Sequence, residues 1–119
     1  MSTVFEDIAD LDRLIHEPAR LAILSILATL ATDDRADFVY LRKHIGLTEG
    51  NLSGHITKLE EGGLVRTQKQ FVNKRPNTQI RLTEEGHKAI TRYWKQLEHI
   101  LQGFKAVAPH GAAADRPLA

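Results

Sequence analysis

The fold is decided by the stretch IGLTEGNLSGHITKLEEGGLV, residues 45–65. Gly46 follows an apolar residue where a left-handed helix C-terminal cap is expected, and Thr48 then offers a hydroxyl that can cap the start of a new helix. Gly62 and Gly63 end that helix. The residues at helical spacing that form its buried face are Leu52, Ile56 and Leu59. The stretch predicts two helices joined by a tight turn, the second over about 49–60.

The face of the second helix opposite Leu52 carries small polar residues instead of the long charged ones usual on a surface. Gly50 and Gly54 lie near this pole, although an interior glycine costs a helix about 0.5–1 kcal/mol relative to alanine. A small polar face in the N-terminal half is what a recognition helix presents to base edges. We therefore expect DNA contact here, against the alternative of an ordinary surface helix. The candidate contacts are Thr48, Gly50, Asn51, Ser53, Gly54, His55, Thr57 and Lys58.

Two of these candidates have equally good structural interpretations. His55 lies at the border of the buried face, so it is either a packing histidine or a phosphate contact. Lys58 either reaches a phosphate or pairs with Glu60 or Glu61.

The elements around this stretch complete a recognisable order. Phe38, Leu41 and Ile45 predict a short helix before it, and Pro18 suits the first turn of an apolar core helix further upstream. LVRTQKQFV (64–72) and TQIRL (78–82) are β-prone, and NKRPN (73–77) between them predicts a turn. Basic residues at this hairpin indicate either DNA contact by a wing over about 69–79 or a solubility feature. The candidates are Lys69, Lys74, Arg75 and Asn77, and Arg66 and Arg81 extend a phosphate track.

The same residues resemble the MarR- and ArsR-type bacterial regulators, especially the small stand-alone regulators close to MarR. The shared pattern runs from Gly46-Leu47-Thr48 through Leu52-Ser53, His55-Ile56 and Leu59-Glu60 to Gly63-Leu64-Val65; PARLAILSIL (18–27) and LTEEG (82–86) also match. The resemblance covers about residues 15–90. It implies a winged helix-turn-helix, mainly α with a small β-hairpin wing. The family often has Gln or Arg at the position of Gly54, so weaker direct base readout is expected here.

Composition and charge fit a single small DNA-binding domain. The chain has 119 residues and a net charge of +1, yet residues 1–37 carry −5 and residues 38–81 carry +5. A basic middle zone indicates either a polyanionic partner or a solvated face. There is no cysteine and no basic-then-apolar leader, and the longest apolar run, residues 22–31, is too short to span a membrane. We expect a cytoplasmic protein without membrane contact.

Apolar stripes at both ends of the chain predict a homodimer. Steps of three and four place Val4, Ile8, Leu11 and Ile15 on one helical face, and the same spacing recurs from Ile90 to Phe104. Because one small domain cannot easily cover both stripes, we expect them to pack in a two-fold dimer; the alternative is that both fold back on their own core. The predicted interface residues are Val4, Ile8, Leu11, Ile90, Trp94, Leu97, Leu101 and Phe104.

These elements divide the chain into four parts: an N-terminal dimerisation helix (1–16), a winged helix-turn-helix (17–83), a C-terminal dimerisation helix (84–107) and a disordered tail (108–119). The predicted function is a sequence-specific double-stranded DNA-binding transcriptional regulator, most simply a repressor, acting on a pseudo-palindromic operator. Activation is equally compatible with the sequence. The resemblance also implies an unknown small-molecule effector.

The rival functions have weaker support in the residues. No nucleophile–base arrangement, paired-carboxylate site or cofactor-binding motif is recognisable, so we expect neither an enzyme nor a cofactor. ArsR-type sensors can bind zinc through D-x-H and H-x-x-H/E, but this chain has Glu85, His87, His99 and Gln102. The acid is Glu and the last ligand is Gln, so we expect no metal site. A winged helix used only for protein contacts is the third possibility.

Overall fold

The chain folds into a helical body with a small antiparallel sheet. A computed structural model describes residues 2–31 and 34–111. In these residues the elements are α1 (Val4–Ala9), α2 (Pro18–Ala28), β1 (Ala36–Asp37), α3 (Phe38–Ile45), α4 (Glu49–Glu61), β2 (Val65–Val72), β3 (Arg75–Leu82) and α5 (Glu84–Gly111). The predicted fold class, a mainly helical winged helix-turn-helix, is confirmed.

The ends of α4 form as the sequence predicts. Gly46 adopts a left-handed conformation with φ +83° and ends α3, and the Thr48 Oγ1 accepts a hydrogen bond of 3.2 Å from the Asn51 N–H. At the other end, Gly63 has φ +79°, while the Leu64 N–H donates to the Leu59 carbonyl at 3.0 Å. This is a Schellman motif, and it satisfies carbonyls that the end of a helix would leave unpaired. Helix α4 therefore ends at Glu61, one residue later than predicted.

One apolar core holds α4 against the rest of the protein. Helix α2 lies at its centre and contacts α3, α4, α5 and β3. Residues from all these elements are fully buried, including Ile23, Leu24, Leu41, Leu52, Leu59, Ile80 and Ile90. Because α4 buries Leu52, Ile56 and Leu59 in this core, its opposite face is presented outward in a fixed orientation.

The sheet differs from the predicted two-stranded hairpin in two ways. A third strand, β1, pairs with β3 through Ala36 and Asp37, where the sequence predicted no strand. The predicted turn was also too long, because Val72 pairs with Arg75 and only Asn73 and Lys74 form the turn. Both turn residues have positive φ, 51° and 63°, as a two-residue turn of type I′ requires.

Pro76 explains why the turn was overestimated. A proline predicts a loop because it cannot donate to a β-ladder. Here β1 reaches only Gln79 and Ile80, so β3 has a free edge at Pro76 and a proline is tolerated there.

The N-terminal helix is much shorter than predicted. Helix α1 ends at Ala9, and the chain turns before α2 instead of continuing as a helix to residue 16. Leu11 and Ile15 therefore leave the predicted stripe and enter the protomer's own core. Helix α5, in contrast, extends to Gly111, past the predicted end at 107. Residues 112–119 of the predicted tail, like Thr32 and Asp33, lie outside the described residues.

Candidate nucleic-acid interface

The outward face of α4 is open along its N-terminal half. Every residue predicted to contact DNA from this helix is exposed except His55, which is half-buried. A Cβ atom at Gly50 or Gly54 would meet nothing within 4 Å, so neither glycine is required by the protein's own packing. The Thr57 Oγ1 donates to the Ser53 carbonyl at 3.0 Å, which leaves the hydroxyl oxygen free to accept. In the described residues Lys58 forms no ion pair with Glu60 or Glu61.

His55 belongs to a polar cluster that joins α4 to the start of α2. Its Nδ1 lies 3.2 Å from the Arg20 Nη1 and 3.6 Å from the Glu17 Oε2. A guanidinium only donates, so Nδ1 must be the acceptor, and a neutral His55 then carries its proton on Nε2. Of the two roles left open by the sequence, this contact supports the structural one; a phosphate contact through Nε2 stays a prediction.

Glu17 supports this cluster through its charge. Its carboxylate caps α2 by accepting hydrogen bonds from the Arg20 N–H at 2.8 Å and the Ala19 N–H at 3.1 Å. Burial by itself would raise the pKa of Glu17, but these two hydrogen bonds and the charge of Arg20 outweigh it, and the pKa is lowered. Glu17 was not predicted to have a role, although a Glu directly before Pro18 is readable as a helix cap.

The wing is an acid-free segment beside α4. Residues 62–83 contain five Lys or Arg residues and no Asp or Glu. Lys69, Lys74 and Arg75 are exposed, as a phosphate contact requires. The Glu60 carboxylate, on α4, accepts from the Thr67 N–H at 2.8 Å and its hydroxyl at 3.0 Å, which ties the helix to β2. The orientation of the wing relative to α4 is therefore fixed by hydrogen bonds as well as by the core.

A cleft of about 410 Å³ lies between α4 and the wing. Ser53 and Thr57 line one side, and Lys69 lines the other. The structure thus brings together candidates from both elements on one surface.

Asn77 occupies a different environment from the one predicted. Its Nδ2 donates to the Asp37 carboxylate, and its Oδ1 is buried without a partner among the described residues. Burial would raise the pKa of Asp37, but this hydrogen bond and those from the Tyr40 and Val39 N–H groups lower it. Asn77 therefore helps hold β1 and the start of α3 onto the wing, which argues against the predicted DNA contact.

The predicted dimer surface is only partly exposed. Leu11 and Ile90 are 4% and 2% exposed, so their assignment to an interface between protomers was wrong. Helix α5 uses Tyr93 and Ile100 as well to cover its own core, and Leu97 packs partly against it. Val4 is half-buried. The remaining predicted residues form an exposed apolar face, namely Ile8, Trp94, Leu101 and Phe104. Phe5 belongs to the same face, but it was not predicted because it lies off the regular stripe.

Residues 19–101 match the family model described as a winged helix DNA-binding domain. The chain belongs to this family. An uncharacterized protein of Methanocaldococcus jannaschii is 36% identical over 81 residues, which is 68% of this chain and 85% of that protein. The solved structure of a transcriptional regulator homologue from Pyrococcus horikoshii is 31% identical, covers 83% of this chain and 97% of its own, and superposes with a TM-score of 0.74.

These matches confirm the recognition of a winged helix regulator. The chain is a transcriptional regulator with a winged helix DNA-binding domain. A probable transaldolase of Roseiflexus castenholzii is 31% identical over 96 residues, but the chain spans only 44% of that protein, so the activity in its name is not transferred.

Two features are absent from the described part of the chain, a metal-binding cluster and a membrane-spanning helix. Among residues 2–31 and 34–111, no three His, Asp or Glu side chains lie close enough together to hold a metal ion. Within the same residues, no helix combines the length and the apolar character needed to cross a membrane.

Proposed function

We propose that the chain is a homodimeric, sequence-specific double-stranded DNA-binding regulator and acts as a repressor. The observation that carries this proposal is the open polar face of α4 beside an acid-free basic wing. A helix that exposes Asn51, Ser53 and Thr57 without long side chains between them can approach base edges closely. Such donors and acceptors are permissive, so much of the specificity comes from DNA shape.

A second copy of the chain would give the DNA-binding surface two-fold symmetry. The apolar face of α1 and α5 leaves Phe5 80% and Trp94 47% exposed, which a protomer in water does not favour. Pairing these faces about a two-fold axis buries them and presents two α4 helices to one side of a duplex. The target is therefore a pseudo-palindrome with half-sites about one helical turn apart.

An effector site is the third part of the proposal. A cleft of about 310 Å³ lies between α1 and α5, near the lower limit of small-molecule sites. Its polar lining includes Arg92, Lys95 and His99 opposite Asp7 and Asp10. A small polar ligand there would contact the terminal helices, as the resemblance to MarR-type regulators implies, and would alter how the two protomers pack.

The test begins with selection of bound duplexes from a random DNA library, which is expected to return a pseudo-palindrome. Affinity for the selected duplex is then measured by fluorescence polarisation at several salt concentrations. Binding should weaken steeply with salt, and Lys74→Ala should reduce the slope of log K against log salt by about one for each wing that contacts a phosphate.

Gln68→Ala is the matched control, because it removes an exposed wing side chain without removing a charge. It should leave the salt slope unchanged. A folded protein that binds no duplex even at low salt refutes the proposed function and leaves a protein-contact module as the better explanation.

A further inference from the structure

Phe71 is an aromatic residue that the core does not use. It lies on β2 next to the wing tip and is 76% exposed. Its cross-strand partner is Pro76, which is also exposed. Neither residue contributes to the core, and among the side chains that the structure describes Phe71 is the most exposed large apolar one outside α1. Nothing in the fold of the protomer explains this apolar pair.

The alternation of the hairpin places the pair on the side of the wing that faces α4. Side chains two residues apart on a strand share one face of the sheet. Thr67, Lys69 and Phe71 therefore share a face, and the first two line the cleft beside α4. In the register of the hairpin, Lys69 pairs with Thr78 and Phe71 with Pro76, so the apolar pair is the next step outward on the same face.

The length of the hairpin determines what this pair can reach. Thr67 is held to Glu60 of α4, and Phe71 lies four residues further out, about 14 Å along an antiparallel strand. The major groove of B-DNA is about 12 Å wide. With α4 in a major groove, a wing of this length can cross the bordering phosphates toward the neighbouring minor groove.

The basic residues near Phe71 and Pro76 indicate that this apolar pair contacts an anionic partner. Lys69 lies on the same face two residues before Phe71, Lys74 lies in the adjacent turn, and residues 62–83 carry no acidic side chain. An exposed aromatic ring with lysines on either side of it along the hairpin fits an anionic surface that offers apolar edges between its charges. The minor groove has phosphates at its rim and sugar and base edges in its floor, and apolar side chains can wedge between its base steps.

We propose that Phe71, supported by Pro76, is a wedge that enters the minor groove beside the half-site and partly unstacks a base step. This inference rests on the proposed function. It makes Phe71 a specificity determinant without hydrogen bonds, because flexible pyrimidine–purine steps open more easily than others. The rigid two-residue turn at Asn73 and Lys74 keeps the ring at a constant position along the DNA.

The experiment uses the full chain and a duplex taken from the random-library selection, with 2-aminopurine placed at each flanking base step in turn. Wild-type protein should raise the fluorescence at one step on each side, since unstacking removes quenching. Phe71→Ala should abolish this rise and weaken binding about tenfold or more. The salt slope should not change, because no charge is removed.

Val72→Ala is the matched control. Val72 is the adjacent exposed residue on the opposite face of the ladder, and its substitution should leave affinity and fluorescence as in the wild type. Phe71→Leu, which keeps an apolar wedge, should recover part of both signals. Thermal denaturation of each variant checks that exposed substitutions leave the fold intact.

Two results would overturn the wedge while leaving the regulator in place. The first is a Phe71→Ala variant with wild-type affinity and fluorescence. The second is a loss of self-association in Phe71→Ala, measured by sedimentation, without a change in the 2-aminopurine signal; Phe71 would then pack against a second copy along the free edge of β2. Absence of any duplex binding by the wild type refutes the proposed function itself.

Discussion

Replacing Gly54 with alanine should make the protein more stable. Gly54 lies inside α4, where alanine is favoured over glycine by about 1 kcal/mol. An added Cβ meets nothing within 4 Å, so no steric cost offsets this gain in the free protein. The variant should therefore unfold at a temperature about 4 °C higher, the shift that about 1 kcal/mol produces in a domain of this size.

Gly86 provides the opposite case within the same chain. A Cβ at Gly86 would lie 2.1 Å from the Leu64 carbonyl oxygen and 2.9 Å from the Leu82 Cδ2, so backbone would have to move. Gly86→Ala should destabilise the protein, by about 1–3 kcal/mol for overpacking of this kind. The two variants carry the same chemical change, so their opposite signs test the structure and not the propensity scale alone.

Thermal denaturation followed by circular dichroism measures both variants, at one fixed protein concentration because an associating protein unfolds at a concentration-dependent temperature. Polarisation with the selected duplex then separates the roles of Gly54. If α4 approaches the groove closely, Gly54→Ala gains stability and loses affinity. A gain in stability with unchanged affinity means that the glycine is only tolerated, and a fall in stability refutes the open face described for α4.

Two further predictions concern the support of the wing and the dimer. Asp37→Ala should cost about 1 kcal/mol at pH 7, because Asp37 caps α3 and holds Asn77. Folding lowers the pKa of Asp37. Its contribution to the free energy of unfolding is therefore fully present above the pKa of the unfolded chain, about 4, and is lost as the pH falls through the lower pKa of the folded protein. Urea denaturation should accordingly show the difference from wild type shrinking between pH 7 and about pH 3, and a constant difference would contradict this. Trp94→Glu should convert the proposed dimer into monomers in sedimentation equilibrium; a dimer that survives both this change and Leu101→Glu refutes the assignment of that face.

The helix-turn-helix was predictable because its signals are local. Gly46, Thr48 and the glycine pair at 62–63 each act on backbone groups within a few residues, and the spacing of Leu52, Ile56 and Leu59 defines one face. The outward face of α4 then follows from geometry alone. These features need no knowledge of distant contacts, which is why the structure reproduces them.

The terminal helices were harder to predict because an apolar stripe does not say what covers it. Leu11 and Ile15 continue the spacing of α1, yet the chain turns at Asp10 and delivers both to the protomer's own core. On α5 the residues that face inward include Tyr93 and Ile100, one step away from the predicted stripe. A long amphipathic helix has two apolar edges here, and only the packing of α1 decides which one stays exposed.

Side-chain contacts between distant segments were beyond the sequence. Asn77 appeared to be a wing residue because it lies near basic positions, but it pairs with Asp37, forty residues away. The cluster of Glu17, Arg20 and His55 spans a similar separation. Strand β1 also forms by pairing with a distant segment, β3. It was not predicted because two residues are too few to show a periodicity.

The junction between the end of α4 and the start of α5 has a mechanical consequence. Thr83 donates its N–H to the Leu64 carbonyl at 3.0 Å and its hydroxyl to the Gly63 carbonyl at 2.6 Å, so both helices meet at one bonded corner. Leu101, on the proposed dimer face, lies about 27 Å further along α5. Helix α5 therefore acts as a lever. If it pivots about Leu101 by about seven degrees, the corner that carries the end of α4 moves by about 3.4 Å, the rise of one base pair. In the proposed dimer, the angle between two such levers would set the half-site spacing that the protein accepts.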